Sequence, residues 1–397
     1  MWAGRHVVIG VSGGIAAYKS CYLVRRLTEA SARVDVVLTA AAAEFVRPVT
    51  FEALSGRPVM TSLWEADRAL AHVHLARQAD LVIVAPATAH LLARVAQGLA
   101  DDFLTTLLLA RTGPVLLAPA MNDAMYAAAP TQQNLATLRA RGYGFVGPET
   151  GALAEGPSDR PGRMSEPDTI LHHAARMLRQ GGPLAGKQVL VTAGPTREAL
   201  DPVRLVTNRS SGKMGFRLAQ AAWYRGAMVS LITGPSAEPA PVGVGLIRIE
   251  TTDEMQRAVD AALPGADVLI MAAAPADFRP ADRAETKRPR QAGRLVVELT
   301  PTSDILEATR GRRKPGSIAV GFALETGDAE DKARAKLTRK GLDLIVVNDA
   351  LEPGAGFEVD TNRVTVLDKD GGCWRLPLAS KAEVAEGILD RVEARLV

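Results

Sequence analysis

Two stretches of the sequence gather groups suited to holding anions. Gly10-Val11-Ser12-Gly13-Gly14-Ile15 joins a β-branched run to a helical one. A glycine turn in that place leaves backbone N–H groups and a helix dipole facing a phosphate. The pattern departs from the dinucleotide fingerprint G-x-G-x-x-G, because Ser12 stands where a tight glycine turn is wanted and the next strand ends at Leu38-Thr39 with no acidic residue. A mononucleotide such as FMN suits it better than NAD. Ala85-Pro86-Ala87-Thr88-Ala89 and Ala118-Pro119-Ala120-Met121-Asn122 follow later strands, shaping a flat slot with the Asn122 amide at its rim. His72 and His74 precede the third strand.

The second stretch is Thr192-Ala193-Gly194-Pro195-Thr196-Arg197-Glu198, followed by Asp201-Pro202-Val203-Arg204 and Thr207-Asn208-Arg209-Ser210-Ser211-Gly212-Lys213-Met214-Gly215. It brings hydroxyls, an amide, glycines and cations to a helix start, again phosphate chemistry. It is not a Walker sequence. Asp277 ends the run Ala272 to Asp277 after a buried strand and faces a cleft, with Lys287, Lys336 and Lys340 as countercharges.

The elements that must position these groups are α/β units. At 397 residues the chain is two domains of about 150 to 220 residues. Charged residues make up 23%, and 47 Lys and Arg against 44 Asp and Glu leave a net charge of +3, so nothing demands a nucleic acid or an anionic membrane. No apolar run reaches the roughly 18 residues of a membrane span. Two unpaired-looking cysteines, Cys21 and Cys373, point to a reducing, cytoplasmic setting. Strands are expected at His6 to Val11, Val34 to Leu38, Leu81 to Ala85, Val115 to Ala118 and Phe145-Val146, with helices at Ile15 to Glu29, Leu91 to Gln97 and Asp168 to Arg179.

A Gly/Pro-rich stretch, 147–162, reads as a mobile flap over a site. Gly181 to Gly186 is the linker. The rhythm then restarts with strands at Val189 to Thr192, Met228 to Ile232, Val268 to Met271, Ile318 to Phe322 and Leu344 to Val347. Helices are expected near Met214 to Tyr224, Asp253 to Ala262 and Glu330 to Lys340. The expectation is two doubly wound, mostly parallel sheets of flavodoxin or Rossmann type, over 1–181 and 182–397, with a site at the strand ends of each.

The first set of motifs, Gly-x-Ser-Gly-Gly-Ile-Ala, a His, Pro-Ala-Thr-Ala and Pro-Ala-Met-Asn-x-x-Met, resembles the FMN-dependent cysteine decarboxylases of coenzyme A biosynthesis. The resemblance implies that the flavin takes a hydride from the cysteinyl side chain to give a thioaldehyde, whose C=S accepts the electrons released when carbon dioxide leaves, and that the reduced flavin then returns the hydride to the enethiol. Carried over, His72, seven residues before Ala79-Asp80, is the base or carboxylate-orienting group. Asn122, Met125 and Arg163 bind substrate, and Ser12, Gly13, Gly14, Thr39, Thr88, Ala89 and Ala120 line FMN. Where that family's flap carries a proton-donating Cys, this sequence has Glu155. Two readings stay open: Glu155 is the replacement acid, its acidity weakened by burial under the flap, or the first half stops at the enethiol or binds flavin idly.

The second set, with Ala-Asp-Phe at 276–278, Val-Gly-Phe-Ala-Leu-Glu-Thr at 320–326 and Leu-Asp-Leu-Ile-Val-Val-Asn at 342–348, resembles phosphopantothenate–cysteine ligase. That implies activation of 4′-phosphopantothenate as an acyl-cytidylate by CTP and Mg2+, then attack by the amine of L-cysteine. Asn208 would handle the acyl-cytidylate and Lys287 the developing phosphate charge. Asp277, Lys287, Ser303, Asp304, Ile305, Leu306, Phe322, Lys336 and Lys340 would bind the nucleotide. The sequence gives no magnesium ligands. Pro275, and Pro289 within Lys287-Arg288-Pro289-Arg290, depart from the family pattern; residues 354–362 resemble a family strap. The resemblance also implies a trimeric flavin domain with shared sites and a dimeric ligase domain, which a dodecamer would reconcile.

Overall fold

The run from His6 to Val11 is buried at every position, as a central parallel strand covered by helices on both faces must be. In the computed structural model, which describes residues 1–64, 70–289, 295–325, 329–349, 356 and 359–396, it is β1 of a unit spanning Met1–Arg179. The chain continues through α1 (Ala17–Glu29), β2 (Arg33–Leu38), α2 (Ala40–Ala43), α3 (Pro48–Ser55), α4 (Ala71–Gln78) and β3 (Leu81–Ala87). Then come α5 (Ala89–Gln97), α6 (Phe103–Ala110), β4 (Val115–Pro119), α7 (Asp123–Ala127), α8 (Ala129–Ala140), β5 (Gly144–Phe145) and α9 (Pro167–Arg179).

All pairings are parallel, in the order β2-β1-β3-β4-β5, the flavodoxin-like order whose ligand crevice opens at the carboxyl ends of β1 and β3. One core lies under α1, α3 and α9, and a second under α4, α5, α6 and α8. Between β5 and α9 the expected flap is a doubled-back finger, bridged antiparallel at Glu149 and Arg163 and again at Leu153 and Gly156.

The second unit spans Gln180–Val397. Its elements are β6 (Gln188–Ala193), β7 (Arg197–Ala199), β8 (Leu205–Thr207), α10 (Lys213–Tyr224), β9 (Met228–Thr233), β10 (Gly245–Arg248), α11 (Thr252–Ala262), β11 (Val268–Met271), β12 (Phe278–Pro280) and β13 (Leu299–Pro301). They continue with α12 (Ile305–Thr309), β14 (Ile318–Glu325), α13 (Ala329–Arg339), β15 (Leu344–Asp349), β16 (Thr361–Asp368), β17 (Cys373–Ser380) and α14 (Lys381–Glu393). The large sheet runs β10-β9-β6-β11-β14-β15-β16-β17, with β7-β8 and β12-β13 as separate hairpins.

In that sheet β10, β9, β6, β11, β14 and β15 pair in parallel, whereas β16 and β17 return antiparallel, an addition the sequence reading did not anticipate. Strand order reverses between β6 and β11, which opens a crevice there. Helices α10 and α14 pack on one face over one core; α11, α12 and α13 cover the other. Among the described residues no helix is long and apolar enough to cross a membrane.

Candidate active sites

The first site is a cavity of about 900 Å³ at the carboxyl ends of β1, β3 and β4, within the size range of cofactor pockets. Its glycine loop is drawn tight. A Cβ on Gly13 would collide with Ala41, and one on Gly162 with the Met121 carbonyl. No side chain caps α1, so its N-terminal end stays available to an anion.

Ser12 is almost wholly buried, and its hydroxyl donates to the Pro86 carbonyl at 2.8 Å while accepting from the Thr88 N–H at 3.1 Å. It therefore lines the cavity but spends its hydrogen bonds on stitching the first loop to the third. Thr39 and Thr88 cap α2 and α5 by accepting from Ala42 N and Leu91 N. Gly14, Ala89 and Ala120 complete the wall, with Met125 and Arg163 at the rim.

The finger closes one side through Ala152, Leu153, Ala154 and Glu155. Asn122 caps α7, its Oδ1 accepting from Ala124 N at 2.8 Å and Met125 N at 3.3 Å, while its Nδ2 donates to Glu155 Oε1. Glu155 is exposed. The expected enclosure under the flap is thus not present here, because Glu155 sits in the two-residue turn at the finger tip. Lys19, Arg94 and Asp102 were not anticipated as lining residues. The only sequence signal for Lys19 is a cation on the apolar face of α1; it is 7% exposed and donates to Met164 O and Glu166 Oε1 at 3.3 and 2.9 Å. The Lys19 hydrogen bond is the main reason the Glu166 carboxyl lies below the ordinary carboxylate range.

His72 does not line this cavity. It lies on α4, which packs against α6, and its ring meets Phe103 edge-on at 6.1 Å. Its Nδ1 is buried without a hydrogen-bond partner. Arg111, at the other end of α6, donates to the carbonyls of Ala76 and Ala79 at 2.6 and 2.7 Å, so α6 braces α4 at both ends.

The second site is a cavity of about 440 Å³ over the carboxyl ends of β11, β14 and β15. Asn208, Asp277, Ser303, Asp304, Ile305, Leu306, Phe322, Lys336 and Lys340 all line it. Asn208 donates to Ala274 O and Pro275 O at 3.1 and 2.9 Å, so the unexpected proline supplies a carbonyl to that contact. Asp304 caps α12 and pairs with Lys340 at 2.8 Å. Burial would raise its carboxyl, but the Lys340 hydrogen bond and charge bring it below the ordinary range. Gly212 takes a left-handed φ of 82° at the start of α10, a conformation that favours glycine.

Lys287 is exposed and outside the cavity lining. Its segment is fastened instead to the Asp-Pro-Val-Arg string, which the sequence grouped with the phosphate-binding loop. Asp201 accepts from Val203 N, Arg204 N and Nε, and Arg288 N, while Arg204 donates to Arg288 O at 2.6 Å. Arg290, Thr326 and most of the strap, including Phe357, lie outside the described residues. Among the described residues no group of three or more His, Cys, Asp or Glu could hold a metal. Neither cysteine lines either of these two cavities.

A flavodoxin-like unit with a mononucleotide-sized slot, followed by a second unit with lysines at a sheet crevice, defines a tandem α/β flavoprotein enzyme. Residues 1–179 match the family described as Flavoprotein, and residues 184–396 match the DNA/pantothenate metabolism flavoprotein C-terminal domain. The coenzyme A biosynthesis bifunctional protein CoaBC of Vibrio cholerae is 46% identical over 398 residues, covering 99% of each chain. That of Bacillus subtilis is 45% identical over 399 residues, covering 99% of this chain and 98% of the relative.

The solved C-terminal domain of a CoaBC protein aligns over 54% of this chain and 98% of its own length, at 39% identity and a TM-score of 0.47. The chain belongs to this family of bifunctional coenzyme A biosynthesis proteins. It is a phosphopantothenoylcysteine decarboxylase and a phosphopantothenate–cysteine ligase in one polypeptide. An idle first half is not favoured by these matches.

Proposed function

We propose that residues 1–181 carry the decarboxylase with FMN as its flavin, and that residues 182–397 carry a CTP-dependent ligase. The observation that carries the first assignment is the convergence of the glycine loop, Asn122 and the finger on one cavity. When bound, FMN supplies the two-electron oxidation and reduction that the decarboxylation requires. The uncapped start of α1 holds its phosphate, Asn122 holds the substrate carboxylate, and Glu155 delivers a proton from the finger tip.

His72 serves the cavity of a neighbouring copy, in keeping with the trimer implied by resemblance. Its place outside its own cavity supports this, as do the exposed Trp64 and Leu70 that precede it.

In the ligase half, Lys336 and Lys340 neutralise the triphosphate as the α-phosphorus is attacked, and Asn208 steadies the acyl-cytidylate. Lys287 reaches a nucleotide from its exposed segment, in a neighbouring copy of a dimer. Magnesium would be held by one or two protein carboxylates together with the nucleotide; Asp277 and Asp304 are the carboxylates that line the cavity. The reading places the protein in the cytoplasm. Incubation with phosphopantothenate, cysteine, CTP and magnesium, followed by product mass, tests the whole scheme. Phosphopantetheine is the expected product. Phosphopantothenoylcysteine alone would overturn the decarboxylase reading, and no ligation would overturn the other.

A further inference from the structure

Three consecutive residues after β4 each hold one point of the finger. Met121 N–H donates to Gly162 O at 3.0 Å, Asn122 Nδ2 donates to Glu155 Oε1, and Asp123 Oδ2 accepts from Ser158 Oγ at 2.6 Å. The first contact is close backbone packing, since a Cβ on Gly162 would meet Asp123 N and Cα as well as Met121 O. The third is a bridge between side chains, and the Ser158 hydroxyl also accepts from Arg160 N at 3.1 Å. The Ser158 hydrogen bond is the main reason the Asp123 carboxyl lies below the ordinary carboxylate range.

The finger needs a fastening at that point. It has a root ladder at Glu149 and Arg163, and a tip ladder that pairs Gly151 with Ser158 and Leu153 with Gly156. Only residue 150 separates the ladders on the outgoing leg, whereas residues 159–162 separate them on the return leg. The tip ladder therefore does not continue the register of the root, and extra residues on one leg bend and re-aim a hairpin. Ser158 is where the tip ladder ends and the bridge to Asp123 begins.

The Asn122 contact cannot aim the tip during turnover, because a substrate carboxylate takes the same amide in the reading above. What then holds the tip is Ser158 on Asp123, three residues along from Glu155. Neither Asp123 nor Ser158 lines the cavity, so the pair acts on the reaction through the finger.

We propose that Asp123 and Ser158 are positioning residues of the decarboxylase, whose hydrogen bond keeps the finger tip in register on the Asn122 turn once substrate has parted Asn122 from Glu155. The proposal rests on the reading of Glu155 as proton donor.

Anaerobic single turnover of the full FMN-loaded chain with phosphopantothenoylcysteine makes the first test. Flavin absorbance falls as the substrate is oxidised and returns as the enethiol is reduced, and only the return needs the finger-tip acid. Ser158→Ala and Asp123→Ala should slow the return about 10-fold, the loss of one hydrogen bond to a charged acceptor, and leave the fall unchanged. Mass analysis should find enethiol persisting over the same interval. Ser158→Thr keeps the hydroxyl and should return at the wild-type rate.

The second test needs no turnover. A glutamate-specific protease can cut after the exposed Glu155, and the rate of cutting tracks the open population of the finger. Asn122→Ala parts the tip contact as substrate does, and adding Ser158→Ala to it should speed that cut about 10-fold further.

An unchanged return in both alanine variants, equal slowing of fall and return, or a slow return in Ser158→Thr would overturn the positioning role. Unchanged cutting in the double variant would overturn the tether itself. Should Glu155→Gln leave the return unmoved, the acid reading has failed, and the cutting rate alone then decides the tether.

Discussion

The Asn122 amide donates to the Glu155 carboxylate, so a side-chain carboxylate holds the donor that a substrate carboxylate would need. The orientation is set from the other end of the amide, where Oδ1 caps α7. Substrate entry has to part the pair, which would leave Glu155 beside the reacting carbons.

Glu155→Gln keeps the shape of the contact and removes the titrating proton. We expect formation of phosphopantetheine to fall by about 10²- to 10⁴-fold, the range for loss of a general acid, while carbon dioxide is still released once per flavin, and further only where dioxygen reoxidises the flavin. Mass analysis of the product distinguishes the thiol from the enethiol. An unaltered yield of phosphopantetheine would end the acid assignment, whereas Glu155→Cys should remain active.

Sharing of sites between copies predicts complementation. His72→Asn and Asn122→Ala should each abolish decarboxylation alone, yet subunit exchange between the two variants should restore a measurable fraction of it. Activity that never returns, in mixtures shown by mass spectrometry to have exchanged, would place His72 and Asn122 in service of the same copy or give His72 another role.

At the nucleotide end, Lys340 is held by Asp304 at 2.8 Å. Lys340→Met should raise KM for CTP about 10- to 100-fold through loss of a charge-assisted contact, with KM for cysteine unchanged. Initial-rate kinetics with CTP varied would show it. A variant with an unchanged KM for CTP would remove Lys340 from the triphosphate.

Asp201 sets a pH dependence. Burial would raise its carboxyl, but hydrogen bonds from Val203, Arg204 and Arg288 hold it well below the ordinary range. A depressed folded-state value contributes stability that is fully present above the unfolded pKa, near 4, and is lost as pH falls below it. Asp201→Asn should therefore lower Tm at pH 7 by several degrees and flatten the fall in Tm between about pH 4 and pH 2. Calorimetric scans across that range would reveal a wild-type slope if the hub is real; identical slopes in both proteins would discount it. Because Arg288 is tied to Asp201, the variant should also weaken whatever Lys287 contributes.

Both parallel sheets were legible because their strands are β-branched runs between glycine, proline and aspartate, and such runs have one solution when buried on both faces. β16 and β17 were missed although Thr361 to Val366 alternates in burial. Pro377 argues against a strand by itself, and is accommodated because β17 is the edge of the sheet. Overlooking that hairpin also hid Lys381, which follows it directly and lines the second cavity. The cavity residues carried by strand-end loops were readable from residue type. His72 and Lys287 were not placed by sequence, because a motif fixes what a residue is and not which way its helix or loop turns. Glu155 shows the same limit: its position in the string was plain, its exposure was not.

Among the described residues, two apolar clusters draw on residues 2–178 and two on residues 184–396. A core lesion such as Leu107→Ala or Ile388→Ala therefore damages one catalyst and spares the packing of its companion. Genetically, two crippled alleles with lesions in different halves should rescue each other, and an inhibitor that unfolds one half would leave cells with a stalled intermediate rather than with neither activity.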